Sequence, residues 1–394
     1  MTPLEQSEKD ELTARILHRL SKTPYACHSL TQLTNGTTNF VFRGALTQPL
    51  SPPLQFQDGI NQSTAAASTV IVKHSTDFAA LNKDLPIDSS RSAVEETMLS
   101  RVPINFPYSD STVKTPHLYL FDRETNTQVL EDIPGAVDLK TVFMSPAANV
   151  VLSKSFATSI GRALGSWLRS FHTWSSAASQ ADIQADTGIG HNEPMRELKY
   201  RITYGSFIKV LEQFPDVLGD HKKTLEEVEA SAINDFKKAA GDEQDEEWGI
   251  IHGDFWTGNV LLPEAQQPEK ETKLYIVDWE FTQFGCRAYD IGQMIGDLYE
   301  RKHFRDTEGA LWAIYAFIEG YGPLSEEMAF RVAIHTGVQL ITWVTRGSPL
   351  HMRPAWATLE RATALLRLGT TFILKGWEKD KEWFKSSVLT NLFV

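Results

Sequence analysis

A chain of 394 residues is too long for one small core and suits two lobes, and its 42% hydrophobic and 22% charged content is that of an ordinary globular protein. A net charge of -12 argues against a nucleic-acid partner, which needs a basic footprint, and agrees with a cationic ligand. Two cysteines, Cys27 and Cys286, are too few for a disulfide framework or a structural zinc site and fit a reducing, cytoplasmic setting; no secretory leader and no apolar run of about 18 residues is visible, so no membrane partner is expected.

Leu12, Ile16 and Leu20 recur every fourth residue and predict a short first helix. β-like runs at 28–34 and 39–46 flank Asn35-Gly36-Thr37-Thr38, a strong hairpin signal. Residues 47–68 are rich in Pro, Gln, Ser and Ala and read as a surface loop before a third strand, 69–73. Asp88-Ser89-Ser90 can cap a helix carrying Val94, Met98 and Leu99 inward, and strands at 117–122 and 127–131 follow. Three strands, a helix and two more strands describe an α+β lobe rather than a βαβ array.

Beyond about residue 135 the periods become helical. Ile160, Leu164, Trp167, Leu168 and Phe171 share one stripe within 150–174. A polar connection spans 175–195, two helical stretches follow, and the acidic run 242–247 reads as a solvated loop. Short strands return at 248–252, 259–262 and 274–278, and the remainder to about 374 is helical. The expected division is 1–134 and 135–394.

The chemistry concentrates in Trp248-Gly-Ile-Ile-His-Gly-Asp-Phe-Trp-Thr-Gly-Asn-Val-Leu-Leu262, a polar turn between two apolar strands. Leu274-Tyr-Ile-Val277 then ends in Asp278, an acid at the end of an apolar strand that calls for a partner such as a metal. Phosphoryl transfer needs a carboxylate to take the hydroxyl proton, with an amide and a second carboxylate on Mg²⁺, and kinases space the first two as Asp-(x)4-Asn. Asp254 and Asn259 have that spacing, and Asp278 follows on the next strand.

His-Gly-Asp-(x)4-Asn followed by Ile-Val-Asp-Trp-Glu resembles the aminoglycoside phosphotransferase and choline kinase superfamily. Asp254-Phe-Trp-Thr-Gly-Asn-Val-Leu-Leu, Asp278-Trp-Glu, Gly285 and Asp290-Ile-Gly are most similar to its fungal branch, which includes 4-hydroxytryptamine kinase; methylthioribose kinases lie further off. The resemblance covers about 28–375 and implies a two-lobed protein-kinase-like fold, a five-stranded antiparallel N-terminal sheet with one helix, a larger helical C-terminal lobe, and a small-molecule kinase using ATP and Mg²⁺. It makes Asp254 the catalytic base and Asn259 and Asp278 the metal ligands. Lys73 and Glu95 resemble the ion pair that positions the phosphates, Gly36 and Asn39 the nucleotide-covering loop, and Glu131-Asp132-Ile133 the hinge whose backbone meets the adenine. Gly36 is a single glycine where protein kinases have three.

Several of these residues have plainer readings. His252 suits a structural hydrogen bond better than proton transfer, because Asp254 suits the proton-accepting role better; the resemblance implies that Asp290 braces the catalytic turn and that His172 is a helix-end packing residue. Trp256, Trp279 and Trp343 could meet a substrate or fill a core, and Glu280 could meet a substrate amine or make a surface or inter-lobe ion pair. The expected acceptor is the hydroxyl of a small, amine-bearing molecule. A sugar kinase, a nucleotide-binding pseudokinase and a metal-dependent hydrolase built on His252 and Asp254 are the alternatives.

Overall fold

The computed structural model describes residues 2–33, 36–50, 66–106, 112–176, 192–238, 247–263, 273–345 and 357–393. Two compact units result, one of Met1–Pro103 with Pro116–Pro134, the other of Ile104–Thr115 with Gly135–Val394.

In the first unit, five antiparallel strands lie in the order Cys27–Leu33, Phe40–Leu50, Ala67–His74, Thr127–Glu131, Leu118–Asp122. Side chains alternate across a strand, so Val70 and Val72 face one side and Ile71 and Lys73 the other. On the Val70 side, Val72, Val129, Phe40 and Phe42 form one apolar cluster with Leu12, Ile16 and Leu20 of the helix Gln6–Leu20. Burying each of these side chains stabilises the unit by roughly 1.5–3 kcal/mol. The opposite side faces the helix Arg91–Asn105: Lys73 meets Glu95, and Gln128 donates to the Ser92 carbonyl at 3.0 Å. The sheet thus carries on its two faces the two helices that the sequence pattern predicted.

Of the expected surface loop at 47–68, residues 51–65 lie outside the described residues. The second strand runs on to Leu50, which pairs with Ala67 after a register shift beyond Ala45; Pro49, which has no N–H, falls within that irregular stretch. Asn35 and the acidic residues 242–246 lie outside the described residues. A small hairpin, Phe78–Ala79 with Asn82–Pro86, has no clear sequence pattern.

The second unit is mainly helical. The long stripe resolves into a turn, Ala148–Val151, and the helix Lys154–Ser176, separated at Ser153, whose hydroxyl accepts from the Phe156 N–H at 3.3 Å and so starts the second helix. That helix packs against Glu308–Tyr321, and Gly161 and Gly165 permit the approach: a Cβ at either would fall on the carbonyls of Ala313 or Phe317. The two stretches expected before residue 242 are four helices, Glu193–Ile202, Tyr204–Leu211, Pro215–Leu218 and Lys222–Lys237. Their joints fall at Thr203, whose hydroxyl donates back to the Lys199 carbonyl, and before Pro215. The strands Trp248–Ile251 and Gln283–Cys286 pair antiparallel; the latter is too short and glycine-broken to read from sequence. A second small sheet has the order Val113–Lys114, Leu274–Ile276, Val260–Leu262, Val137–Asp138.

Candidate active site

The fully buried strand Trp248–Ile251 delivers the chain into His252-Gly253-Asp254. Gly253 has φ +78°, and a Cβ there would collide with the Phe281 carbonyl, so a side chain is excluded twice over. Asp290, at the start of the helix Ala288–Arg305, holds the turn from behind: its carboxylate accepts from the N–H of His252 at 2.8 Å and of Gly253 at 2.9 Å. His172 Nε2 adds a third contact at 3.1 Å, and His172 Nδ1 meets the Tyr321 hydroxyl at 3.0 Å. Burial pushes the Asp290 carboxyl up, but the hydrogen bonds it receives, that from His172 foremost, outweigh it and keep it below the usual carboxylate range. Asp290 and His172 are therefore braces.

His252 is buried too. Its Nδ1 accepts the Asp254 N–H at 3.3 Å and its Nε2 lies 3.2 Å from the Val277 carbonyl, an arrangement that fits the neutral ring protonated on Nε2. Burial lowers its pKa despite the nearby Asp290 and Asp254. It ties the turn to the strand leading to Asp278, a structural role.

Asp254 is the one carboxylate of the turn with an outward edge, its side chain 21% exposed. Its Oδ2 accepts from Asn259 Nδ2 at 3.0 Å and Trp256 Nε1 at 3.1 Å. Its Oδ1 accepts from Gln293 Nε2 at 2.6 Å and Lys199 Nζ at 3.2 Å. Burial would raise the Asp254 carboxyl, but Lys199, Gln293 and His252 outweigh it and hold it below the usual carboxylate range, so it is ionised at neutral pH. Neither Lys199 nor Gln293 carries a sequence signal; each sits in an ordinary helical stretch, far along the chain from Asp254.

Asn259 closes a short 3₁₀ turn, Thr257–Asn259, pinned by Thr257 Oγ1 and N–H donating to Asp297, which is itself paired with Arg301. Because Asn259 Nδ2 is bonded to Asp254, also at its carbonyl (2.9 Å), the Asn259 amide oxygen is turned the other way. The Val277 N–H donates to the Asn259 carbonyl at 3.0 Å, which brings the chain just before Asp278 alongside the turn. Asp278 itself has φ 69°, ψ 62°, a left-handed conformation uncommon outside glycine and often met at functional positions. An amide oxygen and a carboxylate are the hard donors that suit Mg²⁺, which takes one or two protein ligands and fills its remaining positions with phosphate and water.

The other candidates separate on burial. Trp279 is fully buried against His252, Trp167 and Phe171, so it is core and not a substrate contact. Glu280 is 1% exposed, which overturns a surface ion pair. Trp256 and Trp343 are partly exposed, with ring centroids 5.1 Å apart, and Lys140 Nζ lies 5.5 Å from the Trp256 ring.

In the first unit, Lys73 and Glu95 form a buried ion pair at 2.7–2.8 Å. Gly36 lies so near the Asn39 carbonyl that a Cβ would stand 2.9 Å from it. Asn39 is buried, with its amide oxygen turned inward to Ser75 Oγ and Arg91 Nη2, each at 2.8 Å, so it shapes the loop from behind. Arg91 also donates to the carbonyls of Thr76 and Asp88 and was not legible as a site residue. At the hinge, the carboxylate of Glu131 accepts from the His117 N–H, that of Asp132 is paired with Arg43 at 2.8 Å, and Ile133 is buried. Only main-chain groups of this segment suit a ligand.

In the second unit an ionised carboxylate is bonded to an asparagine amide, with another carboxylate just beyond the next strand, and the first unit holds a buried Lys–Glu pair; these are residue types that a small-molecule kinase acting on a hydroxyl group uses. The chain belongs to the phosphotransferase enzyme family, which matches residues 125–330. It is 33% identical over 402 residues to the phosphotransferase FrzJ of a Cladobotryum species, covering 98% of each chain. It is 21% identical over 296 residues to 4-hydroxytryptamine kinase of Psilocybe cubensis, covering 72% of this chain and 75% of that one. Among solved structures, choline kinase of Cryptosporidium parvum is 12% identical, with 96% of this chain and 98% of that one covered and a TM-score of 0.48. Among the described residues no helix is long and apolar enough to cross a membrane.

Proposed function

We propose that this kinase transfers the γ-phosphoryl group of ATP to the alcohol or phenol hydroxyl of a small, amine-bearing acceptor, with Asp254 as the base. The observation that carries the reading is the Asp254 carboxylate, ionised and held by Asn259 at 3.0 Å on an edge open to solvent. The first unit supplies Lys73, oriented by Glu95, and the Gly36 loop to the phosphates, with main-chain groups of 131–133 for the adenine. In the second unit Asn259 and Asp278 would hold Mg²⁺, which would neutralise charge on the transferring phosphoryl oxygens.

Asp254 takes the hydroxyl proton while the acceptor oxygen forms its bond to the γ-phosphorus; the bond from that phosphorus to the β,γ-bridging oxygen breaks and ADP leaves. Positioning and charge neutralisation carry most of the rate, because the protein forms no covalent bond. Trp256 and Trp343 would flank the acceptor. Its amine-bearing class is supported by the relative named for 4-hydroxytryptamine and by the net charge of -12.

The test is ADP release with a panel of hydroxyamines, choline, methylthioribose and aminoglycosides. A hydroxyamine should stand out, and a preference for the sugars would remove the amine from the reading. Asp254→Asn should keep ATP binding and lose transfer by on the order of 10³-fold or more. Turnover near wild type in that variant would remove Asp254 as the base.

A further inference from the structure

Among the described residues the Asp254 carboxylate has four donors, two on each oxygen, and the two pairs differ in kind. The Oδ1 pair is buried: Lys199 is 2% exposed and Gln293 fully covered. These two also bond to each other, Lys199 Nζ donating to Gln293 Oε1 at 2.7 Å. The triangle joins the helix Glu193–Ile202, the turn at 252–259 and the helix Ala288–Arg305. Its polarity is settled by charge. Turning the Gln293 amide over would set its NH₂ against the ammonium and its carbonyl against the carboxylate.

The Oδ2 pair is neutral. Asn259 is fixed a second time through the Asp254 carbonyl at 2.9 Å. Trp256 reaches Oδ2 with one indole N–H and is partly exposed. An ionised carboxylate offers about four lone-pair sites, so all are in use, and a hydroxyl can reach Asp254 only where a donor gives way. The charge-assisted, buried contacts on Oδ1 are the hardest to displace, and a single neutral N–H at a partly open edge is the easiest.

We infer that Lys199 and Gln293 are positioning residues that withhold Oδ1 from the reaction, that Oδ2 takes the acceptor's proton, and that the Trp256 indole N–H is displaced when the hydroxyl binds. The inference rests on Asp254 being the base. It also places Trp256 against the reacting hydroxyl, so this side chain shapes the acceptor from the first contact.

Steady-state kinetics on three variants of the full chain test it, using the panel acceptor that gives the fastest ADP release, or water, as ATP hydrolysis, if none exceeds it. Lys199→Met removes the cation. Gln293→Glu keeps the side-chain volume but sets an acceptor against Oδ1, so it remains informative if Lys199→Met fails to fold. Both should lower kcat by on the order of 10²-fold with the KM for ATP unchanged. Trp256→Phe, which keeps a ring and loses the N–H, should lower the KM of the acceptor, since no donor then has to leave. Wild-type kcat in Gln293→Glu, or a loss matched by equal loss of MgATP affinity, would overturn the positioning role. An acceptor KM that is unchanged or raised in Trp256→Phe would overturn the displaced donor. If Asp254→Asn still turns over, the base reading fails first; if it is dead and Gln293→Glu is fully active, this inference alone fails.

Discussion

At the scale of single residues, the shielded histidines give the protein a pH dependence that begins above the carboxylate range. His172 and His252 are pushed below the ordinary histidine value by burial, and His74 down to about 4 for the same reason. A group whose folded pKa lies below its unfolded one binds more protons when unfolded, so stability is full above the unfolded value and is lost as pH falls through the interval between the two. The urea midpoint should therefore hold steady at neutral pH and decline from about 6.5, the ordinary histidine value, downward. His172→Gln should shallow that decline, and an unchanged slope would show that His172 is not held neutral in the fold. Legibility at this scale was uneven. Asp254, Asn259 and Asp278 stand out because chemistry dictates their types and spacing, whereas Lys199 and Gln293 lie 55 and 39 residues from the carboxylate they touch. Nothing in a local pattern distinguishes a lysine that folds inward onto a base from one that faces water.

At the scale of elements, the pairing of Lys154–Ser176 with Glu308–Tyr321 depends on missing side chains. Gly165→Ala should be destabilising although alanine is the better helix former, because its Cβ would fall on the Phe317 carbonyl and force the helices apart. We expect a loss of roughly 1–3 kcal/mol in denaturant unfolding; a gain would mean that the helices can separate without cost. The hydrophobic stripe of the first of these helices was readable, but not its partner. The same holds for the five strands of the first unit. Their existence follows from alternation and turn residues, while the order that sets Thr127–Glu131 beside Ala67–His74 is a tertiary outcome.

For the whole molecule, ligand binding is the most direct measure of the two units' contributions. A ligand that binds only the folded state stabilises it by about 2.7 kcal/mol at a hundredfold excess over Kd. MgATP should raise the melting temperature, and chelating the metal with EDTA should remove most of the gain. Asp278→Ala should show little difference with and without Mg²⁺. A full Mg²⁺-dependent shift in that variant would remove Asp278 as a ligand. The Lys73–Glu95 pair belongs to the first unit and should keep a metal-independent part of the nucleotide effect.

The sequence by itself determined the fold class and singled out the turn at 252–259 with Asp278, because strand alternation, turn-forming glycines and the order of an acid, an amide and a second acid are local properties; the bracing role of Asp290 was implied only by the family resemblance. Only the tertiary structure decided which candidates are reachable. Trp279 and Glu280 adjoin Asp278 in the chain yet are buried, and Asn39 turns inward to Ser75 and Arg91. It alone decided the company Asp254 keeps, since burial and hydrogen-bond partners are set by segments that meet only after the helices have packed.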